Sequence, residues 1–131
     1  MRPKVRLPMM SRHYEISVGE PWDFEGPDGS NRILAKAEGI VTGPDRPTWQ
    51  GEYLLLRVKT PFKMNGKLVT LLVAAPRYVG DTLSDMISGG CSAGIAKVCE
   101  GQDLRAGDKF EAEQVEYCII GSVRPITKSK K

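Results

Sequence analysis

Residues 88–94 read SGGCSAG and place Cys91 among small residues. Such a thiol acts as a nucleophile only as its thiolate, which needs a base and an electropositive setting. The chain has one histidine, His13. It can serve Cys91 only if the strand beginning at residue 13 lies beside the one beginning at Ala93. No acid stands at a spacing that would orient it, and the glycines already serve to end a helix and reverse the chain. A site near Cys91 therefore stays an alternative, and no residue is assigned a catalytic role. Cys99 and Cys118 fall within strand-like runs and read as small buried hydrophobes. The cysteine spacings of 8 and 19 contain no C-x-x-C pair, which argues against zinc.

A second group of reactive side chains lies in EPWDFEGPDGSN, residues 20–31, with Glu20, Asp23, Glu25, Asp28 and Asn31. Oxygen ligands of this kind suit calcium, but the spacing is irregular and no bidentate acid follows at the expected place. No metal and no cofactor is expected. Trp22 and Phe24 alternate with the acids of this loop. They either cover one end of a core or form an exposed platform for a base, a sugar ring or a partner's side chain.

The third group combines charge with aromatic rings. Arg57, Lys59 and Lys63 recur on one face of a strand, near Trp49 and Tyr53. A basic groove lined with aromatic rings is how small barrels hold single-stranded nucleic acid. Alternating basic residues also guard a strand against edge pairing. GPDGSN lacks the lysine and following helix of a phosphate-binding loop. A single histidine with no nucleophile elbow supports no Ser-His-Asp arrangement.

These groups sit in a chain of 131 residues, long enough to bury its own core as one domain. Three cysteines cannot all pair within the chain, which points to a reducing compartment. The basic start MRPKVRLPMM is not followed by the apolar run of a signal peptide. The longest nearly apolar run, LVTLLVAAP at 68–76, falls short of the roughly 20 residues a membrane helix needs. The expected location is the cytoplasm, with no membrane partner.

The net charge of +3 hides a segregation. Residues 1–12 hold Arg2, Lys4, Arg6 and Arg12 and no acid; residues 124–131 hold Arg124, Lys128, Lys130 and Lys131 and no acid. Each end thus carries +4, and the stretch between carries −5. The domain plan is a flexible basic arm at 1–12, one β-rich domain at 13–124 and a basic tail at 125–131. Such ends either solubilise the protein or meet a polyanion. The polyanion reading gains if both leave the domain on the same side.

The elements that must position these groups are mostly strands. Asn65-Gly66 marks a two-residue hairpin turn. Symmetric pairing about it sets Phe62 opposite Val69, Thr60 opposite Leu71, Val58 opposite Val73 and Leu56 opposite Ala75, as one apolar face. The other face carries Tyr53, Leu55, Arg57, Lys59 and Lys63 against Ala74, Leu72 and Leu68. It is apolar at its open end, so something must cover it, either within the chain or by self-association.

HYEISVG and NRILAKAEGIVTG read as two earlier strands, with a bulge at Gly39. DTLSDMISGG predicts a short helix around residues 82–88. Thr82 and Asp85 form its capping box, and Gly89 or Gly90 its left-handed cap. Leu83, Met86 and Ile87 share its apolar face. SAGIAKVCE is a further strand, LRAGD a turn, and KFEAEQVEYCIIGSVRPI a long strand bent near Gln114. A bulge at that bend keeps Phe110 and Ala112, as well as Val115, Tyr117, Ile119 and Val123, facing inward.

Six or seven antiparallel strands with one short helix fit a small mainly β barrel, with a two-sheet sandwich as the alternative. With no catalytic set, the expected function is a non-catalytic binding or assembly module whose partner is a protein or a second copy of the chain. The candidate binding residues are Trp22, Phe24, Trp49, Tyr53, Arg57, Lys59 and Lys63, and one alternative is a single-stranded nucleic-acid binder using Trp49, Tyr53, Arg57, Lys59 and the basic ends. The other is a small-ligand barrel or enzyme with its site near Cys91 or in the acidic loop 20–31.

Overall fold

Period-two apolar patterning over short runs separated by glycine and proline yields six strands: β1 (His13–Val18), β2 (Arg32–Thr42), β3 (Glu52–Met64), β4 (Lys67–Pro76), β5 (Ala93–Val98) and β6 (Val115–Pro125). A helix, α1 (Leu83–Ile87), lies between β4 and β5. The computed structural model of the chain describes residues 13–18, 32–43, 51–64, 66–78 and 80–126, apart from the Tyr117 side chain. Each strand pairs antiparallel with its neighbour in sequence, and β1 pairs with β6, so the sheet closes into a barrel. Closure removes both sheet edges, which decides for the barrel over the sandwich.

Alternation splits the apolar residues between two clusters. One fills the barrel, with Tyr14, Ile16, Leu54, Leu56 and Leu72 fully buried among its members. The other lies outside, where Val41, Tyr53, Leu55, Leu71, Val73 and Ala75 meet Leu104 and Phe110 of the connection between β5 and β6. The apolar second face of the hairpin is thus covered by the chain itself. Burying Leu104 and Phe110 contributes about 1.5–3 kcal/mol each. The same connection also occupies the part of β2 that extends beyond β1. Gly107 N–H donates to the Ile40 carbonyl (2.8 Å), Thr42 N–H to Asp108 (2.9 Å) and Phe110 N–H to Thr42 (2.8 Å). Gly39 makes this approach possible. It has φ +142°, and a Cβ there would stand 2.5 Å from that of Ala106. It also lies beside the expected bulge, since the β2–β3 register shifts between Ala37 and Gly39.

The hairpin turn is where expected, with Met64 opposite Lys67 and Phe62 opposite Val69, although Asn65 itself lies outside the described residues. Further along, the pairing departs from the symmetric one. Leu54 faces Ala74, Leu55 faces Val73, Leu56 faces Leu72 and Arg57 faces Leu71. These pairs replace Thr60–Leu71, Val58–Val73 and Leu56–Ala75. Residues 58–61 of β3 stand against Thr70 alone, an excess of three residues at Pro61, which has no N–H for the ladder. An odd excess exchanges the faces of the partner strand. Val69 and Leu72 therefore both point into the barrel, while Leu71 and Val73 point out.

The helix follows its local signals. Thr82 Oγ1 accepts from the Asp85 N–H (3.0 Å), and the Asp85 carboxylate accepts from the Thr82 N–H (3.2 Å). At the other end Gly89, at φ +87°, donates to the Met86 carbonyl and Gly90 to that of Asp85, which closes a Schellman motif. Met86 and Ile87 are buried in the interior cluster, with Leu83 packed against it. Two turns of helix have little stability alone. Here α1 bridges β4 and β5 at the end of the barrel where β1 begins and β6 finishes, termed below the terminal end.

The last segment is broken rather than bent. A 3-10 turn at Ala112–Gln114 precedes β6. Phe110 joins the outer cluster, Val115 packs against that cluster, and Ala112 is exposed, whereas Ile119 and Val123 face inward. The register shift that changes parity lies inside β6, opposite the Ile95–Lys97 stretch, and not at Gln114.

Candidate nucleic-acid interface

The closing seam fixes where the charged ends attach. Tyr14 is paired with Pro125, and the Ile126 N–H donates to the His13 carbonyl (2.9 Å). The segment that ends at Arg12 and the one that begins after Ile126 therefore join adjacent strands at the terminal end. Each end segment carries +4, counting Arg124 on β6. The lysines at 128, 130 and 131 and the arm 1–12 lie outside the described residues.

From this point a row of basic side chains runs across the outer surface. His13 on β1 stands opposite Lys36 on β2, and Lys36 stands opposite Arg57 on β3. Directly opposed residues share a face, so Lys36 and Arg57, both exposed, are like-charged cross-strand neighbours. Such a pair costs a few tenths to about 1 kcal/mol relative to a neutral one. Glu38 offsets part of this by accepting from Arg57 Nε at 3.1 Å. The next row holds Glu15 beside Arg124, and Glu15 also pairs with Arg32 (2.9 Å). The Glu15–Arg32 and Glu38–Arg57 ion pairs lie at the surface and are worth at most about 1 kcal/mol each. Lys59 and Lys63 are exposed on β3, with Lys63 opposite Leu68.

Of the aromatic candidates only Tyr53 lies among the described residues, and it is not part of this row. Tyr53 is only 6% exposed and packs edge-on against Phe110, with ring centroids 5.0 Å apart. It shapes the outer cluster and offers no open ring face. Trp22, Phe24 and Trp49 lie outside the described residues, as does the acidic loop 20–31. The strand ends that flank their connections are informative. Val18 and Arg32 lie at the hairpin end of the barrel, whereas Thr42 and Glu52 lie at the terminal end. The connection with Trp22 and Phe24 thus joins the opposite end from the one with Trp49.

Cys91 lacks the surroundings of a nucleophile. Its thiol is partly buried against the interior cluster, and burial, then the carboxylates of Asp81 and Asp85, push its pKa up. The strand that starts at His13 is flanked by β2 and β6, and β5 by β4 and β6, so His13 and Cys91 do not start neighbouring strands. Cys99 is raised by burial first and by Glu116 second, with Lys97 acting in the opposite sense. Cys91, Cys99 and Cys118 are free thiols. Among the described residues no group of three or more His, Cys, Asp or Glu side chains could hold a metal ion. No helix among them is long and apolar enough to cross a membrane.

Sequence reasoning passed over Lys97 and Glu116. Lys97 is fully buried, and its Nζ lies 2.9 Å from Glu116 Oε2. Glu116 is 23% exposed and has Lys67 Nζ at 3.9 Å from its other oxygen. The Lys97 ammonium beside it holds the Glu116 carboxyl below the usual carboxylate range, against the opposing effect of burial. The signal was present: Lys97 shares parity with Ala93 and Ile95, both inward, so alternation already placed it in the barrel. It lies toward the hairpin end, away from the basic row. Compared with protein families, with curated proteins and with solved structures, the chain shows no match.

Proposed function

We propose that this barrel is a non-catalytic binding module whose ligand is a nucleic-acid strand held mainly by its phosphates. The observation that carries the reading is the joining of the two +4 segments to adjacent strands, beside the row His13, Lys36, Arg57. The basic end segments and a basic stripe on the barrel supply sequence-independent attraction through counterion release. Lys59 and Lys63 extend the stripe along β3. Trp22, Phe24 and Trp49 belong to the proposal as ring contacts carried by connections at the two ends. Three free thiols support a reducing compartment, and we place the protein in the cytoplasm.

The assembly reading rested on the apolar outer face of the hairpin, which Leu104 and Phe110 cover. The thiol-enzyme reading needs an electropositive site, whereas Cys91 sits beside two carboxylates. Binding of a labelled single-stranded oligonucleotide, followed by fluorescence anisotropy over a salt series, tests the proposal. Binding should be tight at low salt and weaken linearly in log–log form. Lys36→Gln and Arg57→Gln should each reduce the slope by about 0.7, the value for one lost phosphate contact on a single strand. No binding at low salt would remove the proposal.

A further inference from the structure

We infer that Tyr78 is a stacking platform for an unpaired base, which makes the ligand of the proposed interface single-stranded rather than duplex. The inference rests on the nucleic-acid reading above. Tyr78 is 57% exposed, the highest value among the exposed large apolar and aromatic side chains of the described residues. A tyrosine with this exposure keeps ring surface free for a ligand.

The position is fixed. The Arg77 N–H donates to the Ser92 carbonyl (3.1 Å), and the Tyr78 carbonyl accepts from the Asp81 N–H (3.2 Å). The Arg77 guanidinium carbon lies 5.0 Å from the ring centroid, a cation–π contact that orients the ring. A base has a π-face whatever its identity, so an oriented ring with open surface takes any unpaired base. A base inside a duplex keeps its faces stacked on its neighbours and does not offer them.

The location agrees with the charge. Tyr78 follows β4, whose Pro76 is paired with Ala93 of β5 at the terminal end. The cap of α1 closes the same connection against β6, where a Cβ on Gly89 would lie 3.3 Å from Arg124 Cγ. The ring and the attachment points of both basic segments thus share one end of the barrel. Asp81 and Asp85 on the Tyr78 connection disfavour a phosphate there, so the contact is with a base face while phosphates lie on the row His13, Lys36, Arg57.

The experiment compares oligothymidylate with an abasic strand of equal length at low salt, for the full chain and for Tyr78→Ala and Tyr78→Phe. Tyr78→Ala should lower affinity for oligothymidylate by roughly five- to a hundred-fold and leave the abasic strand unaffected, and Tyr78→Phe should retain both affinities. If Tyr78→Ala binds oligothymidylate as tightly as the parent, the stacking role is overturned while the charge-based reading stands. If the parent protein binds neither strand, both fall.

Discussion

The buried pair Lys97–Glu116 predicts an asymmetry between its two members. Lys97 is fully enclosed, and its ammonium has the Glu116 carboxylate at 2.9 Å. Glu116→Gln keeps an oxygen that can accept but removes the negative charge 2.9 Å from the buried ammonium. Breaking such a pair from one side typically costs 3–5 kcal/mol. Glu116 itself is 23% exposed, so water can partly replace it, and the loss should fall near the lower bound, about 3 kcal/mol. For a domain of this size that lowers Tm by about 10–15 °C. Lys97→Met removes the buried charge and fills the same space, and the carboxylate it leaves, enclosed at Oε2, keeps Lys67 Nζ at 3.9 Å from its other oxygen. Its cost should be clearly smaller than that of Glu116→Gln, because the carboxylate is partly exposed and keeps Lys67 whereas the ammonium is fully enclosed. The double variant should recover most of what Glu116→Gln loses.

The pH dependence follows from the direction of the Glu116 shift. Its carboxyl is held low in the folded state, so the pair's stabilisation is complete above the ordinary carboxylate range. It is lost as pH falls through the depressed folded value. Chemical denaturation at neutral pH and in acid, for the parent and the three variants, measures all of this. That acid-dependent component should disappear in Glu116→Gln and shrink in Lys97→Met, where Lys67 and Cys99 still lower the carboxyl. Equal destabilisation by Lys97→Met and Glu116→Gln, or a double variant no better than Glu116→Gln, would refute the account.

Lys36 and Arg57 stand side by side without a ligand, so Lys36→Gln should stabilise the free protein by a few tenths to about 1 kcal/mol at low salt. The same change should weaken oligonucleotide binding, and a fall in both quantities would contradict the placement of the row. Gly121→Ala drives a Cβ into the Ser17 carbonyl oxygen at the β1–β6 seam, for about 1–3 kcal/mol of overpacking, read in a thermal melt. Unchanged stability would mean that the seam lies elsewhere. Alkylation with iodoacetamide at neutral pH, mapped by mass spectrometry, should label exposed Cys118 before Cys91, whose thiol is held up by burial and Asp81. Earlier labelling of Cys91 would restore the reactive-thiol reading.

Much of the fold was legible because its signals are local. The α1 caps depend on Thr82, Asp85, Gly89 and Gly90, all within nine residues, and the Gly39 bulge and the hairpin turn depend on single positions. The strand count follows from alternation between glycine and proline breaks. Only the tertiary structure decided the rest. The three-residue excess at Pro61 inverts the faces of β4, and nothing near Val73 in sequence announces it. The pairing of β1 with β6 joins residues more than a hundred positions apart and makes the strands from which the two basic segments leave neighbours. Residue types set which backbone shapes are cheap over a few positions, whereas register and closure are fixed by burying both clusters at once, a condition on the whole chain.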